Sequence, residues 1–468
     1  MARVIDPIQF AHEDQSNAVR RGLTETEPAC QRTYTPTQAV IARSAGAYHW
    51  TPEGRKLADF TSGVLVANLG HNPVGWWHRV MELMQLDAVA KTPVTSGADE
   101  FAYAAPLTSY NAVTPLEVES NRRLVANLRS QPGGGRMEQV LWAASGSEAI
   151  QKALWASMKR SPGRDRILAT RRGYHGKKGL ANAVTGSEQD ADRDPRVHFI
   201  RFPTEECSDV ELRRKPLDLT AYDQELKQIF DQYGSRICAL ITEPYLGGGG
   251  SFHPQPEYMQ LLQRYCRQHD VVFIFDEIQS NFGRTGPMYA FTHYGVEPDI
   301  VCLGKGLGNG VPVSASVGSA ELLGTLNYGE GSDTFSAHPL ACAAVIATLD
   351  AFENTDVLAR GQQLAGVLER GLVRLKETGV ISRVRGEGCV WGIECGAVGS
   401  LSPENVAVEV VRRCYLGSRN GFAVHLLGPL AGRVLRVSPP LIMDLKEAEQ
   451  HLAAMFEILS EMAAEHRS

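Results

Sequence analysis

The chain has 468 residues, of which 43% are hydrophobic and 21% charged, an ordinary composition for a globular protein. Its 47 lysines and arginines and 53 aspartates and glutamates give a formal net charge of −6. This balance argues against a nucleic-acid partner, because nucleic-acid-binding proteins usually carry a basic face. Apolar runs such as Val271–Phe275 are too short to cross a bilayer, and the first residues lack the apolar segment of a signal peptide. We therefore predict a cytoplasmic protein of enzyme size with no membrane partner.

The nine cysteines are scattered singly along the chain, and no two of them form a CxxC pair. An odd number at irregular spacing favours neither a disulfide framework nor a structural zinc site. We expect most of these cysteines to be small core residues, and we predict no metal centre.

The N-terminal part of the chain carries one clear secondary-structure signal. Residues 1–35 are polar and weakly patterned, which predicts a frayed arm or a strap across a partner. The segment Ala45–Asp59 predicts a hairpin with its turn at Pro52-Glu53-Gly54.

From about residue 138, predicted strands, loops and helices alternate. One helix is predicted from Glu148, with Ile150, Ala153 and Leu154 at helical spacing, and another at Glu257–His269. The later strands are roughly 30 residues apart, the length of a βαβ unit. The alternation predicts an α/β fold with a central, mostly parallel sheet and helices on both faces. The predicted strands are Gln139–Ala143, Arg166–Thr170, Val197–Phe202, Ile237–Thr242, Val271–Phe275 and Ile300–Leu303.

A long helix is predicted after Pro339, and the chain beyond it has the pattern of a smaller α+β unit. We predict a boundary near residue 345. Residues 1–75 are then an N-terminal arm and part of a small domain, residues 76–345 a large domain, and residues 346–468 the rest of the small domain. The elements predicted in this last part are Arg383–Glu394, a helix near Asn405–Leu416, Val434–Val437 and a final helix from Leu445.

Polar side chains follow the carboxyl ends of the predicted strands, where open parallel sheets bind their ligands. Each signal is weak alone: a Ser-Gly-Ser turn is usually only a helix cap, and a loop lysine is usually solvated. An acid directly after an apolar strand is more informative, because it needs a cationic partner or a hydrogen-bond network. In chain order these residues are Ser145, Gly146, Ser147, Tyr174, His175, Glu243, Asp276, Gln279 and Lys305.

This combination fits pyridoxal 5'-phosphate. A lysine forms a Schiff base with the aldehyde of that cofactor, and a carboxylate beside the pyridine nitrogen keeps the ring protonated. An aromatic side chain stacks on the ring, and the N-terminus of a helix binds the phosphate. The sequence therefore predicts a large domain, residues 76–345, that binds this cofactor.

The sequence resembles the class III pyridoxal-phosphate-dependent aminotransferases of fold type I, over about Thr37–Leu459. This group includes the ornithine, acetylornithine, 4-aminobutyrate and putrescine aminotransferases. The most specific stretch is FDEIQSNFGRTGPMYAFTHYGVEPDIVCLGKGLGNGVPVSA, residues 275–315. Supporting matches are SGSEA (145–149), YHG (174–176), ITEP (241–244), DTFSAHPLACAA (333–344), NLGHNP (68–73) and VLRVSPPL (434–441).

The resemblance implies a role for each residue of the site. Lys305 is implied as the Schiff-base lysine, Asp276 as the partner of the pyridine nitrogen and Gln279 as the residue near the phenolic oxygen. Tyr174 would stack on the ring, and His175 accompanies it in the same motif. Ser145, Gly146 and Ser147 would bind the phosphate. Thr334 would reach the phosphate of the neighbouring subunit, which implies a homodimer with shared active sites.

The resemblance also implies a switch between two kinds of substrate. Glu243 paired with Arg436 would leave room for an ω-amine donor. With Glu243 displaced, Arg436 would bind the carboxylate of a 2-oxo acid, such as 2-oxoglutarate or pyruvate, through two hydrogen bonds. Lysine at position 177 departs from the arginine that many members with a carboxylate-bearing donor have there, and lysine lacks the planar fork of arginine. This departure favours diamines and other ω-amines. His338 departs from a common asparagine and supports no inference about the substrate.

The implied reaction is a two-stage ping-pong transamination, and three alternatives stay open at this point. A minority of proteins of this fold are aminomutases, lyases or racemases. A non-catalytic binding protein is disfavoured because Lys305 and Asp276 are both present. A dinucleotide-dependent dehydrogenase is disfavoured because no glycine fingerprint follows the first strand.

Overall fold

The computed structural model describes residues 7–91, 101–190 and 193–467. The chain forms two compact units, one of Met1–Asn72 with Ala359–Ser468 and the other of Pro73–Leu358. We expected a domain boundary near residue 345, but this residue lies inside the helix Pro339–Asn354. The two units divide between Leu358 and Ala359. That helix belongs to the second unit, where Thr348 accepts a hydrogen bond from the Trp76 indole and Asp350 pairs with arginines.

The strands and helices alternate through most of the described chain. The strands are β1 (Arg43–Ala45), β2 (Tyr48–Trp50), β3 (Lys56–Asp59), β4 (Gln139–Ala143), β5 (Arg166–Thr170), β6 (Val197–Ile200), β7 (Ile237–Thr242), β8 (Val272–Asp276), β9 (Ile300–Leu303), β10 (Ser314–Gly318), β11 (Ile381–Glu387), β12 (Val390–Cys395), β13 (Val424–His425) and β14 (Val434–Val437). The helices are α1 (Asp14–Thr26), α2 (Ser62–Leu65), α3 (Val74–Leu83), α4 (Asp87–Lys91), α5 (Pro115–Arg129), α6 (Gly146–Arg160), α7 (Gly179–Ala183), α8 (Val210–Arg213), α9 (Thr220–Tyr233), α10 (Pro256–Gln268), α11 (Ala290–Tyr294), α12 (Ala320–Leu323), α13 (Pro339–Asn354), α14 (Val357–Arg374), α15 (Pro403–Leu416) and α16 (Leu445–Arg467).

The Pro73–Leu358 unit is built on a seven-stranded sheet with the order β4-β10-β9-β8-β7-β5-β6. Neighbouring strands from β9 to β6 are parallel, whereas β10 is antiparallel to both of its neighbours. Every residue of β7, β8 and β9 is buried, as expected for parallel strands covered on both faces. The predicted fold class, an α/β fold with a mostly parallel central sheet, is confirmed.

The predicted strands of this sheet are present, with small differences at their ends. Strand β6, predicted as Val197–Phe202, stops at Ile200. It ends shortly before Pro203, which has no backbone N–H to donate. The antiparallel strand Ser314–Gly318 was not predicted. Its sequence, SASVG, is made mostly of small residues and lacks the β-branched and aromatic pattern by which strands are recognised.

The other unit has two smaller sheets, one with the order β1-β2-β3-β13 and one with the order β11-β12-β14. The predicted hairpin is present, since β2 pairs antiparallel with β3. The expectation of a frayed N-terminal arm is wrong, because Asp14–Thr26 is a helix. Its Arg20 is fully buried and donates hydrogen bonds to Glu13 and Tyr415 of the same unit. Among the described residues, no helix is both long and apolar enough to cross a membrane.

Candidate active site

The residues predicted to form the site lie at one edge of the seven-stranded sheet. β5, β7, β8 and β9 are parallel neighbours, so their carboxyl ends meet at the same edge. β4 points the same way, because β10 runs antiparallel to both β4 and β9. This topology brings together the residues that follow the five strands: Ser145, His175, Glu243, Asp276 and Lys305.

Asp276 and His175 are in direct contact. Asp276 ends β8 and is 3% exposed, and its Oδ2 lies 2.7 Å from Nδ1 of His175. The other carboxylate oxygen, Oδ1, accepts a hydrogen bond from the backbone N–H of Ile278 at 3.0 Å. Both oxygens of this buried carboxylate therefore have a partner, which offsets the cost of removing the charge from water.

Two further buried acids flank this pair. Glu243 accepts hydrogen bonds from the backbone N–H groups of Tyr174 at 2.8 Å and Gly247 at 3.2 Å. Burial, with a smaller contribution from the nearby Asp276, raises the pKa of Glu243 to about 7 against the lowering effect of His175. Burial also raises the pKa of Glu277 to about 7. A cation placed beside Glu243 would favour its ionised form.

Glu277 has a structural role that the sequence did not predict. Its carboxylate accepts hydrogen bonds from the N–H groups of Ala290 at 2.8 Å and Phe291 at 2.7 Å. It also accepts one from the Ser280 hydroxyl at 2.9 Å. Glu277 therefore fixes the chain that leaves Asp276 to the start of α11. In the sequence, only the position of Glu277 directly after a buried strand could have indicated this role, because its hydrogen-bond partners lie up to 14 residues further along the chain.

The start of α6 forms the turn predicted to bind phosphate. Ser145 is the N-cap residue, and with Glu148 it forms a capping box. The first turn of a helix leaves N–H groups without partners inside the helix, here at the edge of the sheet. Gly176 has a φ of 140°, and a Cβ there would lie 2.2 Å from the Ser147 hydroxyl oxygen. Glycine at 176 therefore allows this loop to approach Ser147 closely.

The glycine run at 247–250, which as a sequence suggests only a flexible loop, is packed against the site. A Cβ on Gly247 would lie 2.2 Å from Oε1 of Gln279, so a larger residue would displace that amide. Oε1 of Gln279 is buried and has no hydrogen-bond partner within the described part of the chain. Tyr174, 37% exposed, lies beside the same loop, opposite Gly248.

Lys305 stands at the first residue of a short 3-10 turn, Lys305–Leu307, directly after β9 and Gly304. Its φ is 48°, in the left-handed region that non-glycine residues rarely adopt. The preceding carbonyl of Gly304 accepts hydrogen bonds from the Asn281 side chain and from the N–H of Leu307. Strained backbone at a reactive side chain is a feature of functional sites.

Thr334 is exposed on a segment that a buried lysine holds in place. Nζ of Lys152, on α6, lies 2.7 Å from Oδ2 of Asp333 and 3.0 Å from the Ser336 hydroxyl. It also donates to the carbonyl of Trp142 in β4 at 2.5 Å. This contact was not predicted, because Lys152 lies on an ordinary amphipathic helix and Asp333 is 181 residues away.

Arg436 belongs to the other unit, so its predicted pairing with Glu243 stays a prediction. It lies on β14 opposite Gly392 of β12 and is 4% exposed. Lys177, whose identity departs from the common pattern, is exposed, whereas His338 is the N-cap residue of α13. Burial lowers the pKa of His338.

The parallel sheet, with a lysine, a histidine-bound aspartate and a helix N-terminus at one edge, is the architecture of a fold-type-I pyridoxal-phosphate enzyme. The family model for class-III aminotransferases matches residues 29–459, and the chain belongs to that family. It is a pyridoxal-phosphate-dependent aminotransferase, an enzyme that moves an amino group from an amine to a 2-oxo acid.

The curated relatives are similar over nearly their whole length. An omega-aminotransferase from Caulobacter vibrioides is 28% identical, over 90% of this chain and 94% of that protein. A 4-aminobutyrate aminotransferase from Mycobacterium leprae is 29% identical, over 95% of this chain and 92% of that protein. Among solved structures, an amine transaminase from an uncultivated Pseudomonas species in its PLP-bound form is 26% identical, with a TM-score of 0.74, over 93% of this chain and 97% of that one.

The side chains at the sheet edge fit this cofactor. Oε1 of Gln279 and Nε2 of His175 are buried polar atoms without protein partners in the described residues. The carboxylate of Asp276 offers a fixed negative charge for a protonated ring nitrogen, and the start of α6 offers N–H groups for a phosphate. Lys305 offers a primary amine at this edge.

The contacts of Lys152 predict a large effect on stability. Replacing Lys152 with methionine removes a buried ammonium that donates to three acceptors, so we expect the free energy of unfolding to fall by about 2 kcal/mol. Urea denaturation followed by circular dichroism measures this change. Lys159→Met is the matched control on the same helix. Its partner Glu330 is partly exposed, and we expect a change below about 0.5 kcal/mol. Equal effects of the two substitutions would contradict the role of Lys152.

Proposed function

We propose that this aminotransferase takes the amino group from an ω-amine, either an ω-amino acid or a diamine, and gives it to 2-oxoglutarate or pyruvate in a ping-pong cycle. The observation that carries the proposal is the set of residues at the sheet edge, where Asp276 is bound by His175 and lies on the strand next to the one that Lys305 follows. The proposal includes a homodimer with shared active sites and a cytoplasmic location.

Each residue of the site has a defined task in this proposal. Bound pyridoxal phosphate supplies an electron sink for the carbon that loses its proton. Asp276 holds a proton on the ring nitrogen, and His175 fixes the orientation of that carboxylate. Lys305 would hold the cofactor through its Nζ, and its amine, once released, would carry a proton between the donor carbon and the cofactor carbon. Tyr174 would cover the ring and Gln279 would meet the phenolic oxygen. The phosphate would be held by Ser145, Gly146 and Ser147.

The electrostatics of Glu243 support the proposed switch. Its pKa, raised to about 7 by burial, lies near neutral pH, so a small change in its surroundings changes its charge. Paired with Arg436, Glu243 would be ionised, and the guanidinium would be neutralised for an ω-amine donor. Released from Glu243, the same guanidinium would bind the carboxylate of a 2-oxo acid.

The loop around Lys177 supports an ω-amine donor rather than a donor with a tightly bound carboxylate. Lys177 and Lys178 are both exposed, and an ammonium binds a carboxylate as a point charge without the planar fork of arginine. We therefore place diamines ahead of 4-aminobutyrate and acetylornithine as donors.

Exposed apolar side chains of the Pro73–Leu358 unit support a homodimer. Phe101 is 84% exposed, Tyr103 95% and Phe335 61%, and Tyr328 is fully exposed. Large apolar groups left in water are typical of surfaces that meet a partner. Phe335 directly follows Thr334, the residue proposed to reach the phosphate of the neighbouring subunit.

The state of the cysteines supports the cytoplasmic location. All nine are free thiols, and eight of them are buried. Proteins of oxidising compartments usually pair their cysteines in disulfides, so this usage fits a reducing compartment.

The function is tested by a half-reaction on the purified holoenzyme. Putrescine, ornithine, acetylornithine, 4-aminobutyrate and β-alanine are added separately without an acceptor, and absorbance follows conversion of the cofactor to its amine form. We expect conversion, fastest with a diamine. Lys305→Ala should slow it by more than about 10²-fold, because the proton carrier is lost. Lys159→Ala, an exposed lysine, is the control.

The alternative outcome is equally specific. Bound cofactor that no donor converts would favour an aminomutase, lyase or racemase of the same fold. Conversion at the wild-type rate by Lys305→Ala would remove Lys305 from its proposed role.

Arg436→Ala tests the substrate switch. We expect kcat/KM for the 2-oxo acid to fall by roughly 10²-fold, because two charge-assisted hydrogen bonds to the carboxylate are lost. The half-reaction of a diamine, which has no carboxylate, should change much less. Arg433→Ala, an exposed arginine beside the same strand, is the control. Equal losses in both half-reactions would contradict the switch.

Mixed dimers test whether active sites are shared. A Thr334→Asp chain puts a negative charge against the proposed phosphate, and a Lys305→Ala chain lacks the reactive amine, so each homodimer should be inactive. A dimer with one chain of each kind contains one intact site if Thr334 acts on the neighbouring subunit, and we expect about half the wild-type activity on this symmetry argument. An inactive mixed dimer would show that Thr334 acts within its own chain.

A further inference from the structure

Two histidines and an aspartate meet in the unit formed by the N- and C-terminal parts of the chain. Asp59 ends β3 and is completely buried, and its Oδ2 lies 2.7 Å from Nε2 of His71 and 3.5 Å from Nε2 of His49. One ligand-type atom from each of the three residues lies within 4.8 Å of the others. We define this group, His49, Asp59 and His71, as the His-Asp-His cluster.

The atoms of the cluster that face away from its centre are also bonded. Ser44 Oγ lies 2.7 Å from Nδ1 of His49. The other carboxylate oxygen of Asp59, Oδ1, accepts hydrogen bonds from the backbone N–H and the hydroxyl of Thr61, each at 2.7 Å. Such outer hydrogen bonds orient imidazole and carboxylate ligands in metal sites, and they direct Nε2 of His49 and Oδ2 of Asp59 toward the same point.

A fourth histidine stands next to the cluster. His425 lies directly opposite Asp59 in the parallel pairing of β13 with β3, and its ring centroid is 5.6 Å from that of His49. Its Nδ1 is buried and has no hydrogen-bond partner in the described part of the chain. A buried imidazole nitrogen with an unused lone pair or proton costs free energy, and a ligand at this position would recover that cost.

We propose that the His-Asp-His cluster is a binding site for a first-row divalent cation of the Zn²⁺ type. Two imidazoles and one carboxylate are a donor set typical of such ions, whereas Mg²⁺ and Ca²⁺ prefer oxygen ligands alone. The cation bonds to Nε2 of His49, Nε2 of His71 and Oδ2 of Asp59. Each imidazole keeps its one remaining ring proton on Nδ1, and Ser44 accepts a hydrogen bond there from His49.

The spacing of these residues explains why the sequence analysis, which expected no metal, did not find the site. His49 and Asp59 come from the two strands of one hairpin, and His71 follows a loop and a single left-handed turn, α2. No short metal motif has this spacing, so only the fold brings the ligands together. A bound cation would cross-link β2, β3 and the backbone bridge between Gly46 and His71.

The test is metal analysis of the holoenzyme. The protein is stripped with a chelator, loaded with Zn²⁺ and desalted, and we expect about one Zn²⁺ per chain, as in a mononuclear site. His49→Gln keeps a side-chain N–H for Asp59 but removes the imidazole ligand. We expect its Zn²⁺ affinity, measured against a chromogenic chelator, to fall by at least about tenfold. His78→Gln replaces an exposed histidine outside the cluster and should bind like the wild type.

Two results would overturn the proposal. In the first, the Zn²⁺ affinity of His49→Gln equals that of the wild type, which would mean that the cluster is held by hydrogen bonds alone. The second measurement uses only the wild-type protein and so does not depend on a variant that folds. Co²⁺ added to the stripped protein should give the d–d absorption of a four-coordinate ion with nitrogen and oxygen ligands. Absence of that absorption contradicts the site.

Discussion

The buried charge of Asp276 is the constraint on which the site depends. A carboxylate at the end of a fully buried strand loses its hydration, and the fold must replace those interactions. It does so with one imidazole and one backbone N–H, from His175 and Ile278. These groups follow two different strands of the sheet, so the position of the carboxylate is fixed only when β5 and β8 are both in place. The sheet itself therefore positions this carboxylate.

Three acids are buried in a small volume here, and their mutual repulsion gives the site its electrostatic character. Asp276 raises the pKa of both Glu243 and Glu277, beyond the larger effect of burial. Glu277 is satisfied by its own three donors and is structural. The ionised forms of Asp276 and Glu243 would be favoured by cations, and a protonated pyridine ring and a guanidinium are the two cations that the proposed mechanism brings to them. The same repulsion disfavours the ionised form of Glu243, which is the residue that changes partners in the proposed switch.

The sequence revealed the parts of the site that follow from local patterns. Apolar strands separated by helices imply parallel neighbours, and parallel neighbours place Asp276, Glu243 and Lys305 at one edge without any knowledge of distant contacts. The remaining parts depend on long-range packing. The contact of Lys152 with Asp333, the residue before Thr334, joins residues 181 apart. The fit of Gly247 against Gln279 depends on two loops meeting. The strand Ser314–Gly318 carries mostly small residues, which give no strand signal, and only its pairing with two other strands of the sheet identifies it.

The backbone at Lys305 shows how such a site fixes its reactive group. A left-handed conformation at a lysine costs about 1 kcal/mol, and nothing in an isolated GKG segment would hold it. Here an extended glycine, Gly304, follows β9, and the Asn281 side chain donates a hydrogen bond to the carbonyl of that glycine. Asn281 also binds the carbonyl of Glu277, whose carboxylate fixes α11. The strain at the lysine is thus supported by the segment that begins at Asp276, so the acid and the amine are positioned by one connected set of hydrogen bonds. Movement of either one would therefore disturb the hydrogen bonds that hold the other.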